Sequence, residues 1–483
     1  MAFYLGIDIG TSAVKVILLD EAQREHALAA RVLSVQRPAP GFSEQSADDW
    51  WQAVDSAVSE IAAKCPIEIA AVRAIGLSGQ MHGLVPLDSQ NTPLRPAILW
   101  NDTRASIEAA ELAEAHPEFA TIGGNLVMAG FTAPKAVWMA RHEPELFAKI
   151  KTILLPKDYV RFCLTGAKIS DMSDASGTLW LDIAKRCWSQ KLLGFCGLQI
   201  AQMPKLVEGS AVSATLLPAL AQKWGMSPQV VVAGGAGDNA AAAVGLGLRN
   251  TGEGFVSLGT SGVVFKITDG FAERADKAVH AFCHALPNSW HQMGVILSAS
   301  DSLSWLCAVT GQELEALFAQ MKSEDSDKCW PLFHPYLSGE RTPHNDASAK
   351  GGFFSLSRTD DAGDLTRAVL QGTAFAMADA MAVLDDARGQ QTLIATGGGA
   401  KNAYWLRLIA SLTGCEIAVP KNTDIGAALG AARLAMLADQ MTLACVCTPP
   451  EVAYIIQPDI ELAAKLAPAH QFSRQLYHLI SKM

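Results

Sequence analysis

One turn is built twice in this chain. Residues 8–15 read DIGTSAVK and residues 258–263 read LGTSGV. The first lies between the apolar runs YLGI and VKVILLD, the second between GFVSL and VVF. A Gly-Thr-Ser turn between two such runs predicts a β-hairpin. With 483 residues the chain is too long for one compact core. Two hairpins of one kind, one at the start and one past the middle, therefore predict two α/β domains that open alike, a duplicated fold.

Strand and helix patterns alternate between the hairpins. Residues 71–79, 96–100 and 229–235 read as strands, and 47–63 and 134–150 as helices. After the second hairpin come the strand TLIATGGG (392–399) and the helix NAYWLRLIASLTG. The Gly-rich stretch GLGLRNTGEG (245–254) separates the halves, giving expected domains 1–247 and 248–483. The region beyond about residue 440 offers no motif, and its last segment, 462–480, reads as a packed amphipathic helix.

Half the residues are hydrophobic and 18% are charged, a composition for packed cores rather than disorder. The net charge of −10 advertises no face for nucleic acid or anionic lipid. The N-terminus has no basic region, and Asp8 interrupts its apolar run. No run of apolar residues is long enough to span a bilayer. The ten cysteines are scattered without a CxxC pair or metal spacing. These features predict reduced thiols and a cytoplasmic protein.

Strand alternation puts Asp8 on one face with Tyr4, Gly6 and Gly10. A carboxylate on a face left bare by glycines invites a cation, and bare glycine lets a phosphate approach the backbone. The turn N–H groups, the Thr11 and Ser12 hydroxyls and Lys15 are suitable phosphate donors. An ordinary hairpin with a solvated Asp is the alternative for the first turn alone. A second turn, with Thr260 and Ser261, suggests two jaws on one polyphosphate. In TGGGAKN (396–402) the three glycines permit close approach of a base or ribose and a helix begins near Asn402, although a glycine triplet is more often a tight turn. Asp238, in AGGAGDNAAAAVG (233–245), opens a helix just before the junction of the halves. It reads as an N-cap or as a general base, kept ionised by the helix N-terminus. His82 in SGQMHGLV is an ordinary loop histidine or a donor to a sugar hydroxyl. Trp100, which ends PAILW, suits the apolar face of a sugar or a core. SDMSDASGT (170–178) and PYLSGERTPHND (335–346) are polar loops to which no chemistry attaches from their residues alone.

The ordered series DIGTSAVK, FSEQSADDWW, GLSGQMHG, LRPAILWND, GFTAPKAVW, LLPKDY, SDMSDASGT, GDNAAAAVG, SLGTSGV, PYLSGERTPH and TGGGAKN resembles the FGGY carbohydrate kinases of the actin-like ATPase superfamily. The resemblance runs from Gly6 to about Arg433. It implies two ribonuclease-H-like domains closing on ATP and a sugar. Asp8 would hold Mg²⁺ through water. Thr11, Ser12, Lys15 and Thr260 would contact phosphates, and Gly398, Gly399 and Asn402 would line the adenosine pocket. Met81, His82, Trp100, Asp238 and Asn239 would contact the sugar, with Asp238 taking the proton of the attacking hydroxyl. The QMHG loop points to xylulose, since glycerol kinases resemble QRE at the matching place. The expected partners are a small-molecule sugar and ATP, with no nucleic acid or membrane. A homodimer is admitted but not required. A non-enzymatic actin-like ATPase would keep the hairpins but have no use for the sugar loops. A nicotinamide dehydrogenase would need a GxGxxG opening a βαβ unit, which is missing.

Overall fold

A computed structural model of the chain describes residues 1–321, 330–384, 392–422 and 426–480. Cys329 lies outside the described residues, and the nine described cysteines are all free thiols. No described helix is long and apolar enough to cross a membrane.

The first half is built on a mixed sheet of strands β1 (Phe3–Ile9), β2 (Ala13–Asp20), β3 (Glu25–Val32), β4 (Val72–Gly79), β5 (Val212–Thr215) and β6 (Val231–Ala233), in the order β5-β6-β4-β1-β2-β3. A short strand β7 (Ala236–Gly237) also pairs with β4. The second sheet contains β8 (Gly254–Leu258), β9 (Gly262–Thr268), β10 (His280–Cys283), β11 (Trp290–Ile296), β12 (Thr392–Thr396), β13 (Glu416–Pro420) and β14 (Val452–Ile456), in the order β10-β11-β9-β8-β12-β13-β14.

The two orders match around their hairpins. The returning strand of each (β2, β9) has an antiparallel neighbour, β3 or β11. The opening strand has a parallel neighbour, β4 or β12, followed by a second parallel strand, β6 or β13, and an antiparallel one, β5 or β14. The duplication signalled by the Gly-Thr-Ser turns is thus a duplication of topology. It is the two-domain, actin-like α/β fold.

The helices that matter for the site are α1 (Ala47–Lys64), α2 (Thr132–His142), α3 (Pro156–Thr165), α4 (Asp238–Gly245), α5 (Ala403–Thr413) and α6 (Ala427–Ala438). Residues 134–150 do not form the single helix expected. α2 stops at His142, and a four-residue turn, Pro144–Phe147, follows. Pro144 disfavours helical geometry in the residue before it, and Glu143 sits at φ −135°, ψ 52°. The strand expected over 96–100 is only Ala97–Ile98, because its partner strand is the two residues Glu44–Gln45. The strand expected over 229–235 is likewise reduced to β6.

Gly6 has a different purpose from the one its bare face suggested. Gly6 and Gly76 are register partners on β1 and β4, and α6 lies directly over them. A Cβ on Gly6 would stand 2.1 Å from the Ala428 carbonyl oxygen, and one on Gly76 1.7 Å from that of Ala431. The face is bare because a helix backbone, not a phosphate, occupies it. α6 in turn meets α4, where a Cβ on Gly430 would be 1.8 Å from the Ala241 oxygen. A helix from late in the chain therefore covers the sheet that begins it. Gly76→Ala must push α6 off the sheet. We expect a loss of about 2–3 kcal/mol or more, measurable as a lowered midpoint in urea denaturation.

Candidate active site

Both sheets place their candidate residues at the C-terminal ends of parallel strands, where open α/β sheets ordinarily carry their sites. In the first sheet β1, β4 and β7 end side by side. Asp8 pairs with Ser78, and Ser78 and Gly79 pair with Ala236 and Gly237. Asp8, Met81, His82 and Asp238 are brought together because each stands at or just beyond one of these ends. In the second sheet Ser257 pairs with Thr396, so the Thr260 turn and the Gly398 turn leave adjacent strand ends.

A cavity of about 390 Å³ opens between the halves. Met81, His82, Trp100, Asp238 and Asn239 line it from the first half, and Thr260, Ser261, His280, Phe282 and Arg341 from the second. All five residues assigned to a sugar by the resemblance therefore share one cleft with the second hairpin turn. Trp100 is 48% exposed, so it is a wall of this cleft and not a core residue.

Asp8 Oδ1 is buried without a hydrogen-bond partner. Burial raises the Asp8 pKa against the opposing pull of Ser78 and Lys15. An orphaned carboxylate oxygen is costly, and a hydrated divalent cation is a group that would satisfy it. The donor set thus fits the expected Mg²⁺.

Asp238 is the first residue of α4. Gly237 is the N-cap and Asp238 makes no capping bond. Its Oδ1 instead accepts from the backbone N–H and the side-chain Nδ2 of Asn239, at 2.7 and 3.0 Å. The helix terminus does not hold its pKa down. Burial, then the charge of Asp8, pushes it up to about 6, against the two Asn239 bonds. It is still mostly ionised at pH 7, and a base with a pKa near the working pH transfers protons efficiently.

His82 also differs from expectation. Its Nδ1 lies 2.7 Å from the Gly177 carbonyl oxygen, which can only accept, so Nδ1 carries the proton. Burial lowers the ring pKa to about 3. The neutral ring offers the cleft a lone pair on Nε2, making His82 an acceptor rather than the donor expected.

The first turn is wired to the cleft. Thr11 Oγ1 donates to Gln80 Oε1 at 2.9 Å and accepts from Trp100 Nε1 at 3.0 Å. Its hydroxyl proton is therefore committed in this conformation, while Ser12 and Lys15 are exposed. Asn402 caps α5, its Oδ1 accepting from the Trp405 N–H at 3.0 Å. A Cβ on Gly399 would meet Trp405 and Leu258 at 2.6 and 2.7 Å, whereas one on Gly398 would meet nothing. Packing explains Gly399, and Gly398 faces open space.

Beneath the Asp238 turn lies a charged cluster for which no role was derived from sequence. Lys157 on α3 reaches Asp158, Asp171 and Asp174 at 2.6, 2.7 and 3.1 Å, all with fully buried side chains. The ammonium occupies the place a metal would take among these three carboxylates. Burial opposes its charge, but the three carboxylates outweigh that and raise its pKa. Arg161 joins Asp158 and donates to the Gly234 carbonyl. Asp171 accepts from Ser173 Oγ at 2.5 Å, and Ser173 Oγ accepts from the Gly237 N–H at 3.1 Å. The stretches LLPKDY and SDMSDASGT thus fasten the turn that presents Asp238. Their spacing along the chain gave no sign that they meet. Ser173→Ala strands the buried Gly237 N–H. We expect a stability loss of about 1–3 kcal/mol and a several-fold lower kcat with an unchanged KM for ATP, read by urea denaturation and steady-state kinetics.

Two domains of one topology facing each other across a cleft lined by Asp238, with the orphaned carboxylate of Asp8 at a neighbouring strand end, are the arrangement of an actin-like ATPase fold. Comparison with known proteins agrees. Residues 3–245 match the N-terminal domain, and 254–438 the C-terminal domain, of the FGGY family of carbohydrate kinases. The chain is 46% identical over 480 residues to a xylulose kinase of Escherichia coli (strain K12), covering 98% of each chain. It is 43% identical to a xylulose kinase of Klebsiella pneumoniae, again with 98% of each covered. A crystal structure of a xyloylose kinase from Brucella ovis superposes with a TM-score of 0.96 at 48% identity, covering 99% of each chain. The chain belongs to the FGGY family of carbohydrate kinases, enzymes that use ATP as a substrate.

Proposed function

We propose that the chain transfers the γ-phosphoryl group of ATP to the 5-hydroxyl of D-xylulose, giving D-xylulose 5-phosphate and ADP. The observation that carries this reading is Asp238, a carboxylate with a pKa near neutrality, in a cleft walled by Trp100 and His82 and faced by the Thr260 turn. The sugar follows from the relatives, named xylulose kinases at 43–46% identity over nearly full length.

Asp238 accepts the proton of the attacking hydroxyl as the new O–P bond forms and the bond to the β-phosphate oxygen breaks. Asn239 holds the carboxylate in place. Met81 and Trp100 pack on the carbon chain, and His82 accepts from a sugar hydroxyl. The turns at Thr11–Ser12 and Thr260 supply N–H groups to the phosphates, with Lys15 as a mobile cation. Gly398, Gly399 and Asn402 border the adenosine. Mg²⁺ at Asp8 would neutralise phosphate charge, and in such transfers positioning and charge neutralisation supply most of the catalysis. A cytoplasmic setting suits its ATP and its free thiols.

Asp238→Asn should abolish turnover while leaving ATP affinity nearly unchanged. Its effect on stability has the opposite sign. The folded pKa of Asp238 is above its ordinary value of 3.8, so its contribution to stability is present below that value and lost as pH rises to about 6. The Asn variant should therefore be the more stable protein at pH 7, by about 1–3 kcal/mol, with no gain below pH 4. Thermal melts at the two pH values read this. In the parent protein kcat/KM for the sugar should fall on the acid side with an apparent pKa near 6, seen in a pH–rate profile.

Asp8→Asn should raise the Mg²⁺ concentration needed for half-maximal turnover at least several-fold. Identical Mg²⁺ titrations for parent and variant would remove the metal from Asp8.

A further inference from the structure

We propose that Arg341 and His82 form a reader for the carbonyl end of the substrate. Arg341 donates to a ketone oxygen and His82 Nε2 accepts from a neighbouring hydroxyl, so the cleft selects 2-keto sugars over the corresponding polyols. The inference rests on the sugar-kinase reading above and deepens it.

Arg341 lines the cleft from the second half, facing the residues of the first. Its Nη1 lies 3.4 Å from His280 Nε2, its only side-chain hydrogen bond among the described residues. That histidine is fixed in turn. Asn125 Nδ2 donates to the Gly123 and Ala281 carbonyls, which leaves Asn125 Oδ1 to accept from His280 Nδ1 at 2.9 Å. His280 Nε2 is therefore an acceptor that holds one corner of the guanidinium. The neighbouring Glu340 does not neutralise it by contact. Glu340 Oε1 accepts from the backbone N–H groups of Leu297 and Arg341, at 2.9 and 2.7 Å. Burial also pushes that carboxyl up to about 8, so it is mostly neutral at pH 7. A guanidinium has five N–H groups and no acceptor, and most of those of Arg341 remain to be used in the cleft.

His280, which holds Arg341, and His82 pack against the same two rings, Phe131 and Phe282. Arg341 and His82 therefore line one part of the cleft, a pure donor beside a pure acceptor (His82 Nε2). A ketone oxygen only accepts, and the hydroxyl on the adjacent carbon can donate. That pair of groups matches this pair of side chains. The chemistry of the reaction adds a reason. A 2-ketopentose closes to a furanose by spending its 5-hydroxyl on C2. The form that reacts at O5 is therefore the open chain, and it necessarily shows a free ketone.

The test uses the full-length enzyme with D-xylulose, xylitol (the same carbon chain with an alcohol at C2) and D-xylonate (a carboxylate at C1). Binding to the parent protein by calorimetry should be tightest for D-xylulose. Arg341→Gln should lower kcat/KM for D-xylulose about 10- to 100-fold, as expected for a lost charge-assisted bond. It should change the value for xylitol by less than about three-fold, with KM for ATP unchanged. Arg341→Lys should restore part of the loss. Equal binding of D-xylulose and xylitol by the parent protein would overturn the proposal, whether or not the variants fold. So would tighter binding of D-xylonate, an unchanged D-xylulose-to-xylitol ratio in a folded Arg341→Gln, or an effect confined to KM for ATP. A parent enzyme that phosphorylates no pentulose would instead remove the substrate reading on which the inference stands.

Discussion

The approach of one helix to two paired glycines organises this molecule. α6 lies so close to β1 and β4 that no side chain fits at Gly6 or Gly76. Because β1, β4 and β7 end together, the helix that presses on the first two also sets the floor from which Asp8, His82 and Asp238 rise. Because α6 touches α4 at Gly430, it also touches the helix that Asp238 begins. Small residues at each crossing let backbones meet, and packing at such distances leaves few alternative arrangements.

A second layer of support is ionic. Lys157 and Arg161 gather three aspartates in a place with no solvent, and the hydrogen bonds of that cluster end on the carbonyl of Gly234 and the N–H of Gly237. Buried charges of this kind are weak evidence of net stabilisation. Here they hold the backbone before Asp238 from both sides. The arrangement lets a Gly-rich turn present a carboxylate at an energetically unfavourable position without relaxing away.

How much of this could be read from the residues divides by range. The two hairpins are local, so their turns, strands and α/β setting were legible. The positions of Asp8 near a strand end and of Asp238 at a helix start were legible because a carboxylate there is conspicuous in a one-dimensional pattern. The reason for Gly6 was not, since its partner helix is near the other end of the chain. The Asp238 environment divides the same way: the helix terminus is visible locally, whereas the burial and the Asp8 charge that outweigh it and raise the pKa come from parts of the chain far from it in sequence. His82 was located but given the wrong polarity, because the carbonyl that fixes its tautomer belongs to Gly177. Ser173 and Arg341 lie in polar loops and Lys157 in a stretch that stands out only through the family resemblance, and three-dimensional proximity alone shows what each of them contacts.

The hydrogen bonds around Thr11 also bear on how such a cleft can diverge. Trp100, Thr11, Gln80, Gln45 and Trp50 form one connected set, and Gln45 returns to the Thr11 carbonyl at 2.8 Å. The Trp100 wall of the cleft and the first Gly-Thr-Ser turn therefore share a single donor–acceptor circuit. A lineage acquiring a new sugar cannot freely exchange Trp100, since its indole N–H also orients the Thr11 hydroxyl. Novelty is easier at positions outside the circuit, such as those the second half contributes. Across descendants of such an ancestor, the tryptophan side of the cleft should be slow to change and the opposite wall should carry the variation.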